Sequence, residues 1–199
     1  MTVRPLKRVG PAGRAELDAR VTELALLAGD GDRPALGEFI RLTQPDVWRF
    51  VAHLAGTAAA DDLTQDTYLR AMDSLPSFEG RSTARSWLLT IARRVVADAV
   101  RRDLGRPQTP YSPDWLAEHA ASGPDATVLV EAAHVFQTLG TERREAFILT
   151  QLLGFTYEQA AEVCGVRIGT IRSRVARARE ELVTACGDAV PNELAGRVG

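Results

Sequence analysis

Cysteine is nearly absent: the chain of 199 residues has two, Cys164 and Cys186. Two thiols supply no disulfide framework, and so small a number points to a reducing cytoplasm. Histidine is scarce as well. His53, His119 and His134 are scattered and share no ligand spacing with the cysteines, so no metal and no other cofactor is expected. No apolar run is long enough to span a bilayer, which argues against membrane insertion. Met1 to Arg14 carries Arg4, Lys7, Arg8 and Arg14 without an apolar segment, so it is not read as a secretory signal. A glycine-rich phosphate loop is missing, and so is any nucleophile–base set, which leaves no candidate catalytic residue and no expectation of an enzyme. Strand-like alternation and internal repeats are missing too.

A charge excess is the last absence. The net charge is −2, which by itself argues against a nucleic-acid binder, but the sum conceals segregation. Arginines dominate 81–106 and 167–179, whereas Asp61, Asp62 and Asp66 crowd together with no basic residue between them. DNA responds to local positive patches, because affinity follows the phosphates actually neutralised.

The residues present read as helix throughout. Asp32-Arg33-Pro34-Ala35 is a helix start with Pro34 near the first helical position. That helix runs through Phe39 and Ile40, bends or restarts at Pro45, and continues by Trp48, Phe50 and Val51 to a stop at Gly56. Ala60 to Leu75 forms a third segment ended by Pro76, and a loop with Phe78 and Gly80 comes after it. Ser86 to Asp103 carries Leu88, Ile91, Ala92, Val95, Val96 and Ala99 at intervals of three and four, with Arg93, Arg94 and Arg101 opposite. Gly105, Pro107, Pro110, Pro113, Gly123 and Pro124 then mark a linker. Helix resumes over Val128 to Leu139 and, with Thr141 as N-cap, over 142–153, burying Phe147, Ile148, Leu152 and Leu153. The fold class is all-α: two small helical domains on a flexible linker. The divisions are a disordered arm at 1–20, a domain at 21–103, the linker at 104–127, a second domain at 128–186 and a flexible tail at 187–199. With only a short tail, no built-in regulatory module is expected.

Gly154 to Arg179 is the most informative stretch. Thr156 and Gln159 are spaced as a capping box, and Gly165 lies where the chain must turn sharply, as in a helix-turn-helix. On the second helix Ile171, Val175, Ala178 and Leu182 share a face that packs inward. Ser173, Ala176 and Arg177 lie opposite, with Arg172, Arg174 and Arg179 on the flanks, and no acid falls between Arg167 and Arg179. An arginine-rich amphipathic helix is often only a solvated face. Here cap, turn, buried period and basic face agree, and the reading is a DNA-binding helix-turn-helix.

Three stretches in order resemble the extracytoplasmic-function class of bacterial RNA polymerase sigma factors, over about Val21 to Cys186. Asp61-Asp62-Leu63-Thr64-Gln65-Asp66-Thr67-Tyr68-Leu69-Arg70-Ala71 resembles the family's core-binding helix. Phe78-Glu79-Gly80-Arg81-Ser82-Thr83-Ala84-Arg85-Ser86-Trp87 and the residues through Arg93 resemble its promoter-melting loop and helix. Val166 to Arg174 resembles its minus-thirty-five reader. Pro45 to Ala52 and Thr150 to Gly154 are similar to the sigma factor C subgroup.

The resemblance implies a transcription initiation factor that binds core RNA polymerase, selects promoters and helps melt the minus-ten region. Asp61, Asp62, Gln65 and Asp66 would dock on the clamp of the polymerase largest subunit, and 142–153 would supply part of the contact to the flap of the second-largest. Phe78, Arg81, Arg85, Arg93, Arg94 and Arg101 are the minus-ten candidates. Phe78 either receives an extruded base or anchors the core, and Trp87 packs inward. For the minus-thirty-five element, Arg172, Ser173 and Arg177 suit base edges, Arg174 and Arg179 suit phosphates, and Ala176 is a small position on that face. An anti-sigma factor is usual in the class. The alternative is a stand-alone helix-turn-helix regulator, which accounts for 154–182 but leaves the acidic helix and the basic helix at 86–103 unexplained.

Overall fold

A computed structural model describes residues 11–102 and 138–188, and the described residues are helical with no strand. The expected linker, most of the helix at 128–139, the first ten residues and the end of the tail lie outside the described residues.

The first helix corrects the expected arm. α1 spans Pro11–Gly29, so residues 11–20 belong to a helix. Leu17, Val21, Leu24, Ala25 and Ala28 recur at four, three, one and three, and Val21, Leu24 and Ala25 are buried. The apolar stripe thus extends a full turn upstream of Val21, and Pro11 suits a first helical position, where no N–H is needed.

α2, Arg33–Ala55, begins on Asp32, whose carboxylate accepts from Ala35 N at 2.9 Å. It passes through Pro45 without a break. Pro45 faces solvent, so the ring sits outside the packed face. Two residues earlier, the Thr43 hydroxyl donates to Phe39 O at 2.7 Å and pairs with Tyr68 Oη at 2.7 Å. Burial of the phenol pushes the Tyr68 pKa upward.

α3 spans Ala60–Ser74 and α4 spans Ala84–Arg102. Phe39, Phe50, Leu88 and Leu89 form the centre of this four-helix domain, none more than 1% exposed. Burial of each such side chain contributes roughly 1.5–3 kcal/mol. Gly29 allows α1 to end directly on the α3 terminus: a Cβ there would lie 2.7 Å from Leu75 O.

The C-terminal domain holds α5, Thr141–Phe147, which runs into a π-helical turn at Ile148–Leu152. Two expectations change here. Thr141 opens the helix but is not its cap. Gly140 holds that position, and its carbonyl accepts from Arg143 N and Arg144 N. Leu152 is 44% exposed, whereas Ile148, Leu149 and Leu153 are buried. The Leu153 N–H reaches back five residues to Ile148 O, and this wider turn shifts the register of the residues beyond it. A regular 3.6-residue period cannot anticipate that shift.

The helix-turn-helix forms as its signals imply. α6, Tyr157–Cys164, starts on a capping box in which Thr156 and Gln159 bond each other's backbone N–H. It stops at Gly165 in the left-handed region, φ 65° and ψ 37°, a conformation glycine adopts without Cβ strain. α7, Ile168–Asp188, buries Ile171, Val175 and Ala178. The two domains touch: α4 packs against α6, and α2 meets α5.

Candidate nucleic-acid and polymerase interfaces

α7 presents its basic face outward. Arg172, Ser173, Ala176, Arg177 and Arg179 are exposed. The Ser173 hydroxyl donates to Thr170 O at 2.9 Å, and Arg179 donates to Gln151 Oε1 at 2.8 Å. Arg174 differs from its neighbours. Its side chain is only 14% exposed and pairs with Glu142 at 2.7 Å. Thr170, Ser173, Arg174 and Arg177 line a shallow cavity with Glu142 and Arg143 from α5. Two arginines at the α5–α7 contact are thus held by acids, Arg174 by Glu142 and Arg143 by Glu181 at 3.1 Å.

On α3, Asp61, Asp62 and Gln65 are exposed, Asp66 is half-buried, and Asp61 accepts from the Trp48 indole at 2.7 Å. Leu69 and Met72 continue the same face at 50% and 37% exposure. Positions 62, 65, 66, 69 and 72 follow three- and four-residue steps and make one stripe. Reading the acids alone misses this apolar half. Its signal is an apolar pair falling on the outer face of an otherwise well-patterned helix.

The basic residues around α4 separate into three groups. Arg94 and Arg101 are exposed; Arg101 sits 3.3 Å from Asp98. Arg81 is exposed in the loop and donates to Glu79 at 2.7 Å. Phe78 is half-buried and stacks on Trp87, centroids 4.9 Å apart and planes tilted by 41°, so the loop aromatic is braced on the domain. Arg93 reaches across to the other domain, where its Nε donates to Glu145 at 2.5 Å.

Arg85 departs from the expected DNA set. It is 5% exposed. Nη1 donates to Asp18 at 2.6 Å, Nη2 to Asp46 at 2.6 Å and to Leu153 O at 3.3 Å, and the guanidinium lies 4.5 Å from the Phe155 ring centroid. Burial alone would weaken its charge, yet Asp46 and Asp18 outweigh that and raise its pKa. A guanidinium so enclosed holds α1, α2 and α4 to the C-terminal domain and does not present itself to DNA.

Glu145 is buried at 4% exposure, and burial raises its pKa against the opposing pull of Arg93. Beside it, burial pushes the Cys164 thiol up to about 12, with the Glu145 carboxylate adding to the rise. The thiol is therefore packing rather than a nucleophile. No group of three or more potential metal ligands occurs among the described residues.

Residues 39–105 match the family model for Sigma-70 region 2, and residues 129–182 match that for Sigma-70, region 4. The chain is 51% identical over 184 residues to the ECF RNA polymerase sigma factor SigC of Mycobacterium tuberculosis, spanning 90% of this chain and 96% of that one. The chain belongs to the ECF family of RNA polymerase sigma factors. It is also 36% identical over 152 residues to EcfG of Rhodopseudomonas palustris, covering 74% and 83%. A solved sigma factor, RpoE of Bartonella quintana in complex with the anti-sigma factor NepR, aligns with TM-score 0.64 and 29% identity, covering 76% of this chain and 96% of that one. CnrH, solved with the cytosolic domain of CnrY, shares the fold at TM-score 0.67 and 24% identity, over 85% and 98%.

The sigma factor is thus an alternative transcription initiation factor, working with core RNA polymerase and promoter DNA. The stand-alone regulator reading fails because it covers only the region 4 match and leaves region 2 without a purpose. α1 begins upstream of the region 2 match. Asp18, on that helix, is a buried group that no local sequence signal singles out.

Proposed function

We propose that the sigma factor divides its work among three outward faces. The α3 stripe of Asp62, Gln65, Asp66, Leu69 and Met72 docks on the basic clamp of the polymerase largest subunit. Acids supply steering there and the apolar pair supplies burial. Leu152 and Gln151, exposed beside the π-helical turn, suit the contact to the flap of the second-largest subunit. Arg94 and Arg101 hold phosphates of the minus-ten element, with Arg81 and Phe78 at the loop where a base is extruded. Arg172, Ser173, Arg177 and the small Ala176 read the minus-thirty-five element from the major groove, with Arg179 on phosphate. Work with polymerase and DNA places it in the cytoplasm, and no helix among the described residues is long and apolar enough to cross a membrane. An anti-sigma factor is the remaining proposed partner, on the likeness to the Bartonella protein solved with one.

The observation that carries this reading is the exposure of the basic faces of α4 and α7 on separate domains; the domain contact adds a requirement. The two promoter elements lie roughly 25 base pairs apart, about 85 Å of B-form DNA. Arg93 of α4 nevertheless sits 2.5 Å from Glu145 of the other domain. A sigma factor in this arrangement cannot hold both elements at once, so promoter binding requires the domains to part and Arg93 to leave Glu145 for phosphate. The 24 residues of the expected linker at 104–127 can reach about 80–85 Å when fully extended, comparable to that separation.

Run-off transcription with core polymerase, with and without the chain, tests the function. The expected result is a transcript from a promoter with both elements only when the chain is added, with permanganate reactivity at the minus-ten region. Specific binding to duplex DNA without polymerase, and no transcript with it, overturns the proposal.

A further inference from the structure

α1 lies outside both family matches, yet it touches both domains. Its C-terminal half belongs to the first: Thr22 Oγ1 accepts from Ala84 N at 3.0 Å, and Gly29 abuts Leu75. Its N-terminal half meets the second at two points. The Arg14 guanidinium lies where a Cβ on Gly154 would be, so the arginine rests directly on that glycine's backbone. One turn on, Asp18 uses its two carboxylate oxygens separately. Oδ1 accepts from Arg85 of its own domain at 2.6 Å, and Oδ2 accepts from Gln159 Nε2 of α6 at 2.8 Å.

Gln159 is also committed twice. Its Oε1 accepts from Thr156 N at 2.9 Å to close the capping box, which forces Nε2 outward as a donor. Its orientation is therefore set by the cap, and the donor meets a buried carboxylate already held by Arg85. We propose that α1 is an intramolecular docking surface for the C-terminal domain, and that the Asp18–Gln159 hydrogen bond is the clasp that keeps the sigma factor closed.

Chemistry of the cap supplies a selective test. Gln159→Glu keeps the acceptor for Thr156 N, because glutamate serves the capping box as well as glutamine and suits the helix N-terminus. It removes the donor and sets a second carboxylate against Asp18, so it opens the domains without harming α6. Asp18→Asn alone faces one donor with another and also loosens the clasp. Combining Asp18→Asn with Gln159→Glu restores a bond of reversed polarity, because the new amide donates to the new carboxylate while its oxygen still accepts from Arg85.

Small-angle scattering of the full chain reads the outcome. Gln159→Glu is expected to increase the radius of gyration with unchanged helical content, and the double variant is expected to return it to the wild-type value. Apparent affinity for core polymerase should change in step, improving by the reciprocal of the open fraction, ~10-fold if one molecule in ten is open. A wild-type scattering profile for Gln159→Glu overturns the clasp, and so does a double variant that stays open. The clasp rests on the sigma-factor reading only for its consequence. Absence of polymerase binding by the wild-type chain would sink that reading while leaving the scattering test intact.

Discussion

Arg85→Met separates a structural arginine from a DNA-binding one. The substitution keeps an unbranched apolar stem and removes the guanidinium from a site where the Arg85 side chain is 6% exposed and the side chains of its partners Asp18 and Asp46 are 11% and 20% exposed. Two carboxylates then face one another with no cation between them. Breaking a buried ion pair by removing one partner costs about 3–5 kcal/mol, chiefly because the survivor is left uncompensated. Take the middle of that range, about 4 kcal/mol. Unfolding entropy near 2.1 cal/mol/K per residue over the N-terminal domain, roughly 90 residues, is about 0.19 kcal/mol/K, so Tm should fall by about 20 °C. Differential scanning calorimetry of the full chain measures it. Adding Asp18→Asn and Asp46→Asn to Arg85→Met should recover much of the loss, because the pocket is then neutral. A melting temperature within about 5 °C of wild type for Arg85→Met, coupled with poor promoter opening, would refute the reasoning and return Arg85 to the DNA face.

Changing Asp62 and Asp66 together to Lys should weaken core polymerase binding by several kcal/mol through like-charge contact at the clamp, while circular dichroism stays unchanged; an unaltered pull-down would remove α3 from the polymerase interface. Arg177→Ala should cost about 1–3 kcal/mol and relax preference at one base position, whereas Arg179→Ala, which removes a phosphate contact, should weaken all upstream sequences alike; selection of randomised elements by each mutant holoenzyme distinguishes them. Burial lowers the His53 pKa to about 4, with Arg144 and Arg49 adding repulsion. The folded state therefore favours the neutral ring, and stability present above pH 6.5 is lost as pH falls from there towards 4, to a limit of about 3 kcal/mol. His53→Asn should flatten that part of the stability–pH curve relative to wild type, and parallel curves would discount the effect.

Local signals carry far in this chain, because each is stated by neighbouring residues. The Thr156–Gln159 box, the left-handed Gly165 and the inward Ile171–Val175–Ala178 period are all set within a few residues, and each appears in the helix-turn-helix. The same is true of the Asp32 cap and the buried face of α4. Leu152 is not legible, because a π-helical turn changes the period that locates its face. The start of α1 is hidden where charged residues outnumber the apolar ones that continue its stripe.

Amino-acid order alone determined most of the helices, the Asp32 and Thr156–Gln159 caps, the acidic and basic stripes, and with them the sigma-factor family, since these depend on contacts within a few turns. Only tertiary structure decided the fate of individual charges. Arg85, Arg93 and Arg94 lie within ten residues on one basic segment and look alike in sequence. Asp18, 67 residues away from Arg85, and Glu145, 52 away from Arg93, bury the first and engage the second, leaving Arg94 exposed. A charge is assigned by the partner that meets it in space, and over such separations only the packed domains bring that partner near.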